Sequence, residues 1–222
     1  MTNKQHKAHG KKAVVLLSGG LDSSVVLYLA RKKRFECFCL AFDYKQRHLR
    51  ELNCARAIAK SAECDIKVIK INFPWRGSSL LDKRVELSGV KSAFPNTYVP
   101  GRNIIFLSFA LSYAEAIKAK AIFIGAHAQD YSGYPDCRRE FFQAFKRVAH
   151  TGTRAGKGIQ VFTPLIEKSK AEIIKTGVKL NVPFKLTWSC YRGGLKPCGK
   201  CDSCFYRAKG FKETAMEDPL IS

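Results

Sequence analysis

The apolar positions of the chain fall into two alternating registers. Short continuous runs at 12–17, 37–42, 66–71, 121–125 and 159–162 read as strands covered on both faces, the pattern of a buried parallel sheet. Between them, residues 22–33, 49–61, 104–118, 141–148 and 170–177 place their apolar side chains three and four apart. The first carries Val25, Val26, Leu29 and Ala30 on one stripe and the second Leu52, Ala55, Ile58 and Ala59. That period predicts amphipathic helices, with Gly177 stopping the last. Residues 73–102 break the rhythm with Pro74, Pro95 and Pro100, and long connections of this kind are often functional lids.

Strand–helix alternation predicts an α/β fold: a doubly wound parallel sheet with right-handed crossovers, helices on both faces and a ligand crevice at the carboxyl ends of the strands. After Trp188 the composition shifts to Cys, Gly, Lys and Pro. The expected organisation is therefore an α/β domain over 1–187 and a compact C-terminal zinc-binding module over 188–222 packed on the same domain.

Composition adds limits. With 46% hydrophobic residues among 222, the chain builds one sizeable core, and no stretch reaches the roughly 20 apolar residues that span a bilayer. The polar, basic residues 1–12 read as a frayed tail rather than a secretory signal. Nine cysteines, with four clustered near the C-terminus, fit metal binding in a reducing compartment, so the expected location is cytoplasmic. The 39 Lys and Arg against 18 Asp and Glu leave a net charge of +21, which suits polyanionic partners or, equally simply, basic residues spread over solvated helix faces. No single-sign run and no basic–aromatic interleaving marks a nucleic-acid groove, so the second explanation is preferred.

The first strand runs directly into Ser18-Gly-Gly-Leu-Asp-Ser-Ser24 and then into a helix. Glycines let a ligand approach the backbone, the helix start supplies unpaired N–H groups, and the serines add hydroxyls: together a cradle for phosphate oxygens. Asp22, at the helix start, either caps the helix or holds a Mg²⁺ that bridges phosphates. The string lacks both the Gly-Lys-Ser/Thr of a Walker loop and the GxGxxG of a dinucleotide fold. It resembles the SGGxDS signature of the N-type ATP pyrophosphatases, the PP-loop enzymes of adenine nucleotide alpha hydrolase-like fold. That resemblance implies cleavage of ATP between the α and β phosphates, adenylation of a substrate, and nucleotide contacts from Leu17, Ser18, Gly19, Gly20, Leu21, Asp22, Ser23, Ser24, Val25, Val26 and Leu27.

Cys190, Cys198, Cys201 and Cys204 are spaced to close a tetrahedron, with Gly193, Gly194 and Gly199 for the tight turns. Four thiolates leave no open position, which suits structural Zn²⁺; an iron–sulfur cluster is the rival. The neighbouring Trp188 and Asp202-Ser203 favour zinc. Cys37, Cys39, Cys54 and Cys64 read as small buried hydrophobes.

Further strings narrow the resemblance: Tyr44-Lys-Gln-Arg-His-Leu-Arg-Glu51, Pro100-Gly-Arg-Asn103, Asp130-Tyr-Ser-Gly-Tyr-Pro-Asp-Cys-Arg138, Lys168-Ser-Lys170-Ala-Glu172 and Thr187-Trp-Ser-Cys190. In this order, from about Val14 to Phe211, they are similar to the 7-cyano-7-deazaguanine synthase family. The resemblance implies ATP, ammonia and 7-carboxy-7-deazaguanine as reaction partners, a ligase that releases AMP and pyrophosphate, a resident zinc, Mg²⁺ with ATP, and a homodimer. No glutaminase segment is visible, so ammonia comes from solution or from a separate donor.

Within that reading Asp22, Arg102 and Lys170 are the candidate catalytic residues, the two cations neutralising charge on departing pyrophosphate or serving only as surface cations. Asp130, Tyr134, Asp136 and Arg138 are candidates for the substrate, or form a rigid turn whose charges merely cap it. Arg47 and His48 either join them or fix their loop. Two other readings remain: a tRNA thiolase with the same loop, for which no separate tRNA-binding domain is seen, and a zinc-containing nucleic-acid-binding module, which leaves residues 18–24 unexplained.

Overall fold

A computed structural model of the chain describes residues 10–87, 95–127 and 134–221. Five strands, β1 (Lys12–Leu16), β2 (Glu36–Asp43), β3 (Asp65–Lys70), β4 (Ala121–Phe123) and β5 (Gln160–Phe162), form one parallel sheet in the order β3-β2-β1-β4-β5. Six helices accompany them: α1 (Leu21–Lys32), α2 (Arg50–Ser61), α3 (Arg102–Ala116), α4 (Arg139–Thr151), α5 (Lys170–Lys179) and α6 (Asp202–Glu213). The doubly wound parallel sheet expected from the alternation is present.

Successive side chains of a strand point to opposite faces, and β1 shows the result. Ala13, Val15 and Leu17 enter one core with α1, α2 and α5; Val14 and Leu16 enter the other with α3 and α4. Both faces being covered explains why the strands read as unbroken apolar runs. Phe123 of β4 is fully buried and stacks on Phe162 of β5 with ring centroids 4.9 Å apart. Burying such a ring contributes about 2–3 kcal/mol. Cys37 and Cys39 lie in the first core, as small apolar side chains would.

The chain winds outward in one direction from β1 to β3 and in the other through β4 and β5. The order therefore reverses between β1 and β4, and the carboxyl ends of these two strands splay apart into a crevice. Helix α5 delivers its first residue, Lys170, to this crevice. A capping box fixes that end: the Ser169 hydroxyl accepts from the Glu172 amide, and the Glu172 carboxylate accepts from the Ser169 amide at 2.8 Å.

One element was not legible. Residues 202–213 form helix α6, although Gly210 interrupts it and its apolar residues keep no clean period. Gly210 is required by proximity, since a Cβ there would meet Lys170 Cγ at 2.5 Å and Ile174 Cδ1 at 2.9 Å. Helix α6 thus lies directly on α5.

Candidate functional site

The crevice opens into a cavity of about 350 Å³. It is lined by the turn after β1, the segment after β2, the end of β4, and the first turns of α1, α2, α3, α5 and α6.

The turn after β1 is closed by its own hydroxyls. Ser18 Oγ accepts from the Gly20 amide at 3.2 Å and lies 3.0 Å from Ser23 Oγ, while Ser24 donates to the Gly20 carbonyl at 2.8 Å. Gly19 has φ +85°, and any Cβ there would collide with the Glu51 carbonyl of α2. Glycine is needed for both reasons. Leu17, Ser18, Gly20, Leu21, Asp22 and Ser23 face the cavity. Ser24, Val25, Val26 and Leu27 do not: they are buried behind the turn, the three apolar ones in the first core, because a helix turning about 100° per residue carries them away from its mouth. These four stand directly behind the turn that Ser18 and Asp22 present to the cavity.

Asp22 meets a cation from across the fold. Lys170 Nζ donates to Asp22 Oδ1 at 2.7 Å and lies 2.9 Å from His127 Nε2. A protonated amine has no lone pair, so Nε2 accepts and the ring proton resides on Nδ1. His127 Nε2 is also 3.6 Å from Asp22 Oδ2. Burial alone would raise the Asp22 carboxyl, but the charge of Lys170 and the hydrogen bond its ammonium donates hold it below its usual 3.8. The result is a fixed anion and a fixed cation at the mouth of an N–H-rich turn.

Arg102 and Tyr44 stand on the opposite wall, the guanidinium 3.4 Å from the phenol oxygen. Arg102 begins α3 immediately after Gly101, which takes φ +65°. At the next residue, Asn103, the structure uses Asp136 differently from the expected substrate contact. Its buried carboxylate accepts from the Asn103 amide at 2.8 Å, while Asn103 Nδ2 donates to the Asp136 carbonyl at 3.2 Å. Asp136 is spent holding the start of α3, and Arg138 is exposed outside the cavity. Tyr134 does line the cavity, with its hydroxyl 2.6 Å from Thr97 Oγ1. Arg47 lines it too, but its guanidinium donates to the carbonyls of Lys83 and Val85 and so fastens the long connection. Asp130 lies outside the described residues.

The four C-terminal cysteines converge, with ligand atoms all within 4.8 Å of one another and Cys198 Sγ 4.0 Å from Cys204 Sγ. Tetrahedral zinc–thiolate bonds of about 2.3 Å imply sulfurs about 3.8 Å apart, so the set fits zinc. Backbone amides already point at the sulfurs: those of Arg192 and Cys198 at Cys190 Sγ, and those of Lys200 and Cys201 at Cys198 Sγ, each at 3.4 Å. Such donors are the usual supports of anionic thiolates.

The metal loop is tied to the turn after β1. The Trp188 amide donates to the Gly19 carbonyl at 2.9 Å, and Trp188 Nε1 donates to the Cys190 carbonyl at 2.8 Å. His48 Nε2 reaches that same carbonyl at 3.0 Å, so His48 carries its proton there and fixes the loop. Its buried Nδ1 has no hydrogen-bond partner among the described residues. Arg50 stacks over the Trp188 ring at 3.7 Å.

Several cavity residues had no assigned role from sequence. His127 follows β4 directly, where the switch-point rule would have pointed. Glu51 lies in the first turn of α2, and burial drives its carboxyl from 4.5 up to about 7, although Arg102 pulls the other way. Asp202 opens α6 with its Oδ1 buried and, among the described residues, without a hydrogen bond. Arg207 is buried against Asp218, with contacts of 2.6 and 2.8 Å, and also donates to Thr187 Oγ1 at 2.8 Å. Its partners are far apart in sequence, and no local signal announces them.

The family model described as "Queuosine biosynthesis protein QueC" matches residues 12–215. A protein of Thermoplasma volcanium named 7-cyano-7-deazaguanine synthase is 50% identical over 217 residues, covering 95% of this chain and 90% of its own. One of the same name from Trichodesmium erythraeum is 48% identical over 221 residues, covering 95% and 100%. Among solved structures, NMN synthetase from Francisella tularensis superposes with a TM-score of 0.52 at 16% identity, over 94% of this chain and 79% of that one, which is a likeness of fold. Among the described residues no helix is long and apolar enough to cross a membrane.

Proposed function

The chain belongs to the queuosine biosynthesis protein QueC family, and from that premise we propose that it converts 7-carboxy-7-deazaguanine and ammonia, at the expense of ATP, into 7-cyano-7-deazaguanine. The observation that carries this reading is the Asp22–Lys170–His127 cluster at the mouth of the Ser18–Ser23 turn, in one cavity with Arg102.

A carboxylate resists nucleophiles because its carbon already receives electron density from two oxygens. Transfer of AMP to it creates a leaving group, and pyrophosphate departs. The Ser18 hydroxyl and the Gly20 amide region suit the β and γ phosphates. Lys170 is positioned to take up the charge that grows on departing pyrophosphate, as a preorganised cation does without reorganisation. Asp22 would hold the Mg²⁺ that accompanies ATP, which supplies charge neutralisation along the triphosphate. Arg102 has the fork to orient the carboxylate of the acid. Ammonia then displaces AMP and gives the amide, and a second activation of the amide oxygen followed by its loss gives the nitrile.

The guanine-like edge of the substrate presents N–H donors and requires an acceptor. Asp202, with an oxygen that no donor among the described residues satisfies, is an acceptor this cavity offers. The four cysteines would hold zinc as a closed structural centre that ties residues 188–204 to the turn after β1. The family resemblance adds a homodimer.

Mass spectrometry of the products formed from ATP, ammonium and 7-carboxy-7-deazaguanine tests the reading. The nitrile, AMP and pyrophosphate are expected; stoichiometric ADP, or no consumption of the acid, overturns it.

A further inference from the structure

Glu51 is unlike the other acidic groups of the cavity. Asp22 is held by Lys170, and Asp136 is used by Asn103. The carboxylate of Glu51 lines the cavity yet accepts no hydrogen bond and forms no ion pair within 4.0 Å among the described residues. Its backbone carbonyl abuts Gly19, which packs the first turn of α2 against the phosphate-type turn, and Glu51 lines the same cavity as Ser18 and Asp22. Across the gap stands Arg102, close enough for its charge to act on the carboxyl.

An anion left without donors in a low-dielectric cleft is costly unless a ligand brings them. The position decides which ligand. On the reading proposed above, the acid's carboxyl must lie beside the turn, where AMP joins it, whereas the N–H edge of the bicycle is at the far end of that molecule. A carboxylate carried on the helix turn packed against Gly19 therefore belongs to the reacting end of the cavity and not to the guanine-like edge. What must arrive there is the nitrogen nucleophile, which at neutral pH is mainly ammonium: a cation with four N–H donors and no lone pair until it loses a proton.

We propose that Glu51 is the ammonium-binding carboxylate and the base that releases ammonia for attack on the acyl-adenylate. Ammonium gives one proton to Glu51. Its freed lone pair forms the C–N bond, the C–O bond to AMP breaks with its electron pair leaving on the AMP phosphate, and the second proton passes from the adduct nitrogen to that phosphate. A carboxyl driven up to about 7 is matched to this transfer, since a base works best near the operating pH.

The inference rests on the proposed reaction, and the test separates the two. Wild-type protein is assayed for ATP–pyrophosphate exchange with 7-carboxy-7-deazaguanine alone, and for amide and nitrile with ammonium. In Glu51→Gln the loss should fall on nitrogen entry: the KM for ammonium rises at least about tenfold and the amide-forming rate drops by about 10²-fold, while exchange, which precedes nitrogen entry, persists. Hydroxylamine, largely unprotonated at neutral pH, should restore much of the lost rate as hydroxamate. Glu51→Asp, which keeps the charge but withdraws it by one methylene, should raise the KM for ammonium with a smaller fall in rate. Exchange lost in step with amide formation, a KM effect confined to the acid, or no hydroxylamine rescue overturns the assignment of Glu51 alone. Wild-type protein inactive in both assays overturns the reaction itself and the assignment with it.

Discussion

Lys170 and Asp22 are 148 positions apart in sequence, and their side chains meet at 2.7 Å. The first residue of α5 is thereby joined to the first turn of α1, and the contact closes the switch point between β1 and β4. Lys170→Met should remove at least about 10²-fold of kcat and leave Asp22 without its main partner. The sign of the pH effect follows from Asp22, whose carboxyl is held below 3.8 in the folded chain. Its ionised form stabilises the fold above that value, and this contribution fades as pH falls through the folded pKa. Urea unfolding of wild type and Asp22→Asn should differ most near neutrality and converge below about pH 4. A gap that stays constant on acidification contradicts the pairing.

Glu51 has the opposite sign. Its folded carboxyl titrates at about 7 against 4.5 in the unfolded chain, so folding favours the protonated form. Wild type should lose stability as pH rises from 4.5 to about 7 and then level off. Glu51→Gln carries no such penalty, so its advantage in urea midpoint should open across that window. Parallel midpoints from pH 4.5 to 8 would show that Glu51 ionises in the folded chain as it does in water.

One zinc per chain is expected, with Cys201→Ala losing metal and folding stability together, since a structural metal site forms with the fold it closes. Elemental analysis and thermal melts read both. Iron with labile sulfide would replace zinc in this account.

Asp136→Asn is expected to act on position rather than on binding. Its carboxylate holds the Asn103 amide one residue from Arg102, so the variant should lower kcat and melting temperature while the KM for the acid changes little. Losing a charge-assisted bond of this kind costs about 1.5–3 kcal/mol. A rise in KM for acid and amide alike, with an unchanged melt, would restore Asp136 to the substrate.

One cavity holds a single phosphate-type turn, so both activations should run there in succession. Synthetic amide supplied with ATP and without ammonium is expected to yield the nitrile, and Asp22→Asn should suppress both halves together. Amide left unconverted under conditions that consume the acid would rule out the sequence.

What was legible in the sequence shares a physical property: it is local. The run at 12–17 reads as a strand because both its faces are covered, and residues 18–24 read as a phosphate-type turn because glycine, hydroxyl and helix start are adjacent. The cysteines are legible because tetrahedral closure constrains their spacing. Val25, Val26 and Leu27 adjoin that turn in sequence, and helical rotation sends their side chains to the core. Asp136 and Arg207 act through partners 33 and 11 residues away, Asn103 and Asp218, and charge alone does not say which partner a side chain will choose. Helix α6 was hidden because its apolar pattern is subordinate to packing on Lys170 through Gly210.

The bond from the Trp188 amide to the Gly19 carbonyl sets an order in time. Residues 10–87 carry β1, β2 and β3 and are made before Trp188, so the turn at Gly19 waits for a partner much further along the chain, and the loop bearing that partner waits in turn for Cys204. A nascent chain can therefore assemble much of its sheet while its nucleotide turn is still unfinished. Residues 188–204 therefore decide when the crevice first becomes competent.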